Sequence, residues 1–478
     1  MLQPLQAIHE LSNLLLPSFL SRQQKTTRPN VNSPSLLRLH GLRGLATIIV
    51  VFRHLLVSFW EFPDRGYGYV NPETGTLSPD NNLIQLPILR LIYSGNSMVT
   101  VFFVLSGYVD SLKPLKMIHT RQWESLQNHF ASAIFKRAQQ LFLPAFITAV
   151  SIAVAVWLGL YEWALEYRLS FFNGLPTHLE RHSTLLGQMR IMWLSFFPLL
   201  NVWTWHHYQP DLNIHLWTLP FEYRASLVRY LILVSLSRLS SPRRIIILVG
   251  IIIYCHCWGR WEITLSVGGI LLCEIDLVYY SKLETPGQSR LDQDRKKFSS
   301  ELEIPRVLSI ILILLSLHFC SYPKTGGAET PGYRFISSLV PRGWEDYRYW
   351  NCWGALILVY VVLHSAITNF LLFPLFQYLG CISFSMYLLH GPVLHATVYA
   401  LVPMVWKEMT IGRKYERLFW FSAIVLAVFI PVLICLVDLF ERAVRRPCER
   451  TALRFQQALF DKEDGLSICC SGTRGSSE

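Results

Sequence analysis

Charge is what this chain has least of. Only 16% of its 478 residues are Asp, Glu, Lys or Arg, where an ordinary soluble domain carries about 25%. With 52% hydrophobic residues and a mean hydropathy of +0.32, too little charge remains to solvate a globule of this size. A disulfide framework is also missing. The ten cysteines follow no disulfide spacing, and Cys255, Cys257, Cys273 and Cys435 lie in apolar runs, where a thiol is a small hydrophobe. There is no internal repeat and no low-complexity tract. The patch Leu11 to Leu20 is short, interrupted by Ser and Pro, and followed by Arg22, Lys25 and Arg28 rather than by small residues, so a secretory signal peptide is not expected. The longest polar stretch, 281–305, is too short for a soluble domain.

What the chain has instead is apolar runs. They fall near 44–60, 94–112, 138–160, 216–237, 244–260, 263–280, 306–320, 350–370, 380–402 and 417–438, and their length and composition predict an all-α, polytopic integral membrane protein of about ten spans. Fifteen Trp, 21 Tyr and 28 Phe suit the aromatic belts of such a protein. The run 190–205 is broken by Pro198, and charge decides its placement. If it does not cross, Arg22 to Arg43, Lys113 to Arg137, Arg238 with Arg243 and Arg244, Lys282 to Arg306, and Arg442 to Arg454 all share one side. That side is cytosolic by the positive-inside rule, which puts both termini there and makes 190–205 interfacial or re-entrant. The net charge of +11 is then matched to anionic lipid, and no nucleic-acid partner is implied. We divide the chain into a polar tail at 1–35, a membrane domain at 36–440 with a cytosolic loop at 281–305, and a basic, disordered tail at 441–478.

Within the apolar runs a few ionisable residues stand out. Arg43 and His54 are eleven residues apart, three helical turns plus roughly 20°, and so share a face about 16 Å apart along the axis. With Arg43 at the cytosolic surface, His54 falls near the bilayer midplane, where an ionisable side chain is a functional candidate. A histidine there can act as general base on a hydroxyl, and an arginine one leaflet away can hold a phosphate. His215 and Glu222, seven apart, share a face of one helix, which makes Glu222 a candidate to orient an imidazole or bind a cation, with Arg224 and Arg229 as structural partners. Tyr387 and His390, at i and i+3, can touch ahead of the Gly391-Pro392 break, where freed backbone groups need partners. Asp110 can pair with Arg43 or Arg137, and the small residues around Ser94 to Gly107 suit close helix packing. No metal is expected. Cys255-His256-Cys257 point apart on a helix, and His206 and His207 beside His215 form the better metal candidate.

The ordered set GLRGLATIIVVFRH (41–54), FFVLSGYV (102–109), LWTLPFEYR (216–224) and CISFSMYLLHGP (381–392) resembles the membrane-bound acyltransferase-3 family, in its fungal type. The resemblance runs from about residue 36 to 440. It implies ten core spans and transfer of an acyl group, commonly acetyl from acetyl-CoA, to a hydroxyl of a carbohydrate or small molecule, including secondary metabolites. The family's Arg-x10-His falls on Arg43 and His54, its Trp-Thr-Leu-x-x-Glu on Trp217 to Glu222, and its Tyr-x-x-His on Tyr387 and His390. Where many members read an arginine pair ahead of Leu-x-x-Pro, this chain has Arg137 and then Gln140. The expected site is therefore His54, Glu222 and His390 as catalytic residues, Arg43 and Arg137 for the coenzyme phosphates, and Trp217 and Tyr387 for orientation. No cofactor is permanently bound, and acyl-CoA is the co-substrate. The partners are lipid and a hydroxyl acceptor, and the membrane is the endoplasmic reticulum rather than the plasma membrane. The contrasting expectations are a proton-coupled transporter or exporter of a small molecule, since buried His, Glu and Arg also build relays, and a silent membrane scaffold.

Overall fold

A computed structural model describes residues 33–77, 81–164, 179–283, 304–409 and 414–464. Most of the 1–35 tail and of the 281–305 loop, and the end of the 441–478 tail, lie outside them. In chain order the helices are α1 (Pro34–Val57), α2 (Gly95–His119), α3 (Trp123–Trp157), α4 (Leu185–Phe196), α5 (Thr218–Leu236), α6 (Ser241–Cys257), α7 (Trp261–Leu283), α8 (Arg306–Cys320), α9 (Asp346–His364), α10 (Pro374–Lys407), α11 (Lys414–Ile424), α12 (Ile430–Phe440) and α13 (Arg446–Asp464). The described residues contain no β-strand, only one isolated bridge between Val70 and Leu77. Every apolar run coincides with a helix. Five helices are long and apolar enough to cross a membrane, or six if the bent pair Asp346–His364 and Ala366–Leu372 is one span. The 190–205 run forms α4 and a single 3-10 turn, too short for that test. Composition marked 441–478 as a disordered tail, but the chain is helical through Asp464.

Charged residues inside helices explain why some runs fall short of that test. α5 carries Glu222, Arg224 and Arg229 within its 19 residues. Arg224 meets Glu262 of α7 at 3.2 Å, with their side chains 1% and 3% exposed. Farther along α7, Glu274 accepts from Arg244 at 2.8 Å and lies 3.2 Å from the His119 ring nitrogen. Asp276 accepts from Tyr108 at 2.7 Å and sits 2.9 Å from His364. A buried carboxylate costs several kcal/mol unless paired, so α7 fixes its neighbours through three such pairs. α2 lies backbone to backbone against it. A Cβ on Gly107 would stand 2.3 Å from the Ser266 carbonyl oxygen, and one on Gly269 2.4 Å from that of Val104. This is the close approach that small residues permit in lipid.

α9 ends at an 89° bend. The carbonyls freed there are taken by Arg38 of α1, whose guanidinium donates to Val362 at 2.8 Å and Leu363 at 2.6 Å. α1 thus packs between the α9 bend and α10. A Cβ on Gly41 or Gly44 of α1 would meet the Leu371 or Phe376 carbonyl oxygen at 2.0 or 2.3 Å.

Candidate active site

Three imidazoles converge where α1, α10 and the entrance to α5 meet. His54 comes from the last turn of α1, His215 from the 3-10 turn Ile214–Trp217, and His390 from the middle of α10. Ring centroids are 4.0 Å apart for His54 and His215, 4.3 Å for His215 and His390, and 5.3 Å for His54 and His390. Their ligand nitrogens all lie within 4.8 Å of one another, the set among the described residues that could hold a metal ion. Such spacing also suits one hydroxyl oxygen, because two hydrogen bonds of about 2.8 Å at a tetrahedral angle separate their nitrogens by roughly 4.6 Å.

Proline chemistry builds this cluster. Pro392 has no N–H to give the Leu388 carbonyl one turn back. Asn213 supplies the missing donor from its side-chain amide at 3.2 Å, while its Oδ1 accepts the His215 backbone N–H at 3.2 Å. The Tyr387 hydroxyl donates to the His215 carbonyl at 2.7 Å and accepts from Thr218 at 2.8 Å. The break in α10 therefore clamps the turn that presents His215. Gly391 completes the fit, since a Cβ there would stand 2.4 Å from His215 Cδ2.

The tautomer of His390 follows from its partners. Its Nδ1 lies 3.1 Å from the Met386 carbonyl oxygen and 2.9 Å from that of Tyr387. A carbonyl only accepts, so Nδ1 carries the hydrogen and Nε2 carries the lone pair. That Nε2 is buried and has no protein partner.

Glu222 is elsewhere. The seven-residue spacing puts it on the His215 face only in one continuous α-helix, and the chain instead runs 3-10 through Trp217 before α5 begins. Its carboxylate accepts from Arg137, which also bonds Ser226 at 2.9 Å and lies 3.6 Å from Asp110. Asp110 in turn pairs with Arg229 at 2.6 Å. Glu222 therefore binds a cation and does not orient an imidazole. Arg43 lies within electrostatic reach of Arg137, Asp110 and Glu222 and makes no ion pair with a described residue. Asp110 and Arg137 line a groove of about 670 Å³ between α2 and α3, together with Lys113, His129, Lys136 and Gln140 among others. Gln140, where an arginine was looked for, faces that groove. Trp217 joins neither cluster. Its ring lies 4.4 Å from that of His207 at a 49° tilt, outside the imidazole set, with Arg348 5.7 Å from its ring.

The family model described as an acyltransferase domain, that of the acyltransferase-3 group, matches residues 36–437. The chain belongs to the acyltransferase-3 family. This acyltransferase is 28% identical over 408 residues to O-acetyltransferase PaAT-1 of Phomopsis amygdali, covering 81% of this chain and 77% of the relative. It is 24% identical to Acyltransferase R4 of Phoma sp. over 465 residues, 89% of this chain and 96% of the relative. It is also 24% identical to Acyltransferase clz18 of Cochliobolus lunatus over 459 residues, 88% and 96%. No solved structure matches. Sequence reasoning about this acyltransferase placed His54 and His390 in the site but left His215 and Asn213 out. The usable signal was Pro392, which demands a donor from outside its own helix.

Proposed function

We propose that this protein is a membrane-bound O-acyltransferase moving an acyl group, acetyl foremost, from acyl-CoA to a hydroxyl of a small molecule such as a secondary metabolite, or of a carbohydrate. One observation carries the reading. A cationic groove stands apart from a buried cluster of three imidazoles in which one lone pair is fixed and unused. The coenzyme phosphates lie in the groove against Lys113, Lys136 and Arg137, with Arg43 within electrostatic reach of Arg137. His54 takes the acceptor's proton as the oxygen bonds to the thioester carbonyl carbon, and the C–S bond then breaks. The departing sulfur receives that proton from the imidazolium. His390 faces the same cluster with its fixed Nε2 lone pair unpartnered by the protein, so it can accept a donor of the bound substrate and orient it beside His54. Ten spans, cytosolic termini and residence in the endoplasmic reticulum complete the proposal, and the relative named an O-acetyltransferase supports acetyl as the group moved.

The test uses the full chain in microsomes with labelled acetyl-CoA, after comparison of metabolites between deletion and parent strains has supplied the acceptor. His54→Ala is expected to lower turnover about 10²- to 10⁴-fold. Arg43→Ala is expected to raise the acyl-CoA KM with little change in kcat. Undiminished turnover in the first variant, or liposome flux of a small molecule that needs no acyl-CoA, would overturn the reading.

A further inference from the structure

His215 belongs to the imidazole cluster and also lines a cavity of about 30 Å³, bounded by Tyr161, Asp211, Gly391, Pro392, His395 and Tyr399 among others. This cavity and the cationic groove lie at opposite ends of α3. The groove reaches Arg137, whereas Tyr161 follows the end of that helix at Trp157, twenty residues or about 30 Å farther along. The coenzyme phosphates and whatever enters the second cavity therefore approach the imidazoles from different directions.

The cavity wall is aromatic. The Tyr161 and His395 rings lie 4.3 Å apart, and the Tyr399 ring stands edge-on to His395 at 5.4 Å. The Tyr399 hydroxyl is held 2.5 Å from Ser58, four residues beyond His54. Leu212 and Leu179 are both buried at its margin. Room for about two water-sized groups admits a hydroxyl and the carbon bearing it, but no ring.

We propose that this cavity is the acceptor's subsite and that it selects an unhindered hydroxyl carried on a flat, largely apolar ring system. The proposal rests on the acyl-transfer reading above. The CH₂–OH end enters and presents its oxygen to His215 and the neighbouring imidazoles, while the ring stays at the mouth against Tyr161 and His395. A polyhydroxylated sugar is disfavoured, because the wall's donors are largely engaged, Tyr161 with the Pro392 carbonyl, Tyr399 with Ser58 and the Asn213 amide with Leu388. His215 is then the imidazole the acceptor meets first.

The experiment uses the full chain in microsomes, labelled acetyl-CoA, and three acceptor probes: benzyl alcohol, 1-phenylethanol and methyl glucoside. Acetylation of benzyl alcohol is expected, with 1-phenylethanol and the glucoside at least about tenfold slower. Tyr161→Leu and His395→Leu are expected to raise the KM for benzyl alcohol about tenfold while the acetyl-CoA KM stays within about twofold. To separate these effects from misfolding, His395→Cys is assayed before and after a bulky methanethiosulfonate beside wild type treated alike, and loss of transfer should follow the reagent only in the variant. Preference for the glucoside, equal rates for the two phenyl alcohols, an alcohol KM unmoved by both substitutions, or hydrolysis of acetyl-CoA without transfer to any alcohol would overturn the subsite. Failure to consume acetyl-CoA at all would instead overturn the acyl-transfer reading.

Discussion

Gly391→Ala is expected to damage catalysis through a single methyl group. The added Cβ would lie 2.4 Å from His215 Cδ2, 2.9 Å from its Nε2 and 3.2 Å from Asn213 Oδ1. Carbon atoms settle at about 3.5 Å or more, so the imidazole must retreat by roughly 1 Å. The backbone of α10 cannot yield instead, since Asn213 and Tyr387 tie it to the turn bearing His215. A misplacement of about 1 Å costs about 10²-fold in rate, and overpacking costs about 1–3 kcal/mol in stability. The assay is acetyl transfer in microsomes at saturating acetyl-CoA, with detergent-phase thermal unfolding alongside. The acetyl-CoA KM should hold, because the groove is remote from Gly391. Gly250→Ala on α6 is the control: its Cβ meets nothing within 4 Å, so kcat should match wild type. Wild-type kcat in Gly391→Ala would show that the position of His215 does not matter to the reaction.

Other substitutions probe the remaining parts. Glu222→Gln removes the charge opposite Arg137, so the acyl-CoA KM should hold or fall and kcat should stay within about tenfold; a loss of about 10³-fold would return Glu222 to the chemistry. Glu262→Gln strands the buried Arg224 and should cost about 3–5 kcal/mol, read as a fall in the detergent unfolding midpoint, and an unchanged midpoint would refute the hub role of α7. Asp64 lies outside the spans in the turn Phe62–Asp64. Burial alone would raise its carboxyl, but Arg53 and Lys324 outweigh that and hold it below the ordinary carboxylate range. Its stabilising effect is therefore complete above about pH 4 and is lost as pH falls through the depressed folded value. Asp64→Asn should be less stable than wild type at pH 7 and converge with it in acid, and a deficit independent of pH would refute the pairing of Asp64 with Arg53 and Lys324 as its cause.

Much of this architecture was legible because lipid leaves few choices. Each apolar run had to be a helix, and Arg224, Arg229 and Asp110 had to find partners, although which partner each took was not readable. Glu262, Glu274 and Asp276 meet residues from four different helices, a matching that depends on packing and not on spacing. Arg43 with His54 was visible because both belong to one helix. Of the two roles expected of Glu222, the cation partner holds and the contact with His215 does not, for the complementary reason: its distance from His215 was measured along a helix that has not yet begun at Ile214. His215 was read with Glu222 and not with His54 and His390, because its place is set by Pro392 and Asn213, which are 179 residues apart in the chain.

The clamp at the α9 bend has a consequence for biosynthesis. Arg38 is among the first residues of the domain to emerge, yet the carbonyls it satisfies belong to Val362 and Leu363, 324 and 325 residues later. At about 5–20 residues per second, the first helix waits roughly 15–65 s in the membrane before its guanidinium meets those carbonyls. During that interval the nascent chain needs another host for the charge, such as lipid phosphate or the insertion machinery. A ribosome stalled before residue 362 would leave α1 without the α9 bend and α10. Closure of the domain is thus a late event, timed by translation and not by the arrival of the first span.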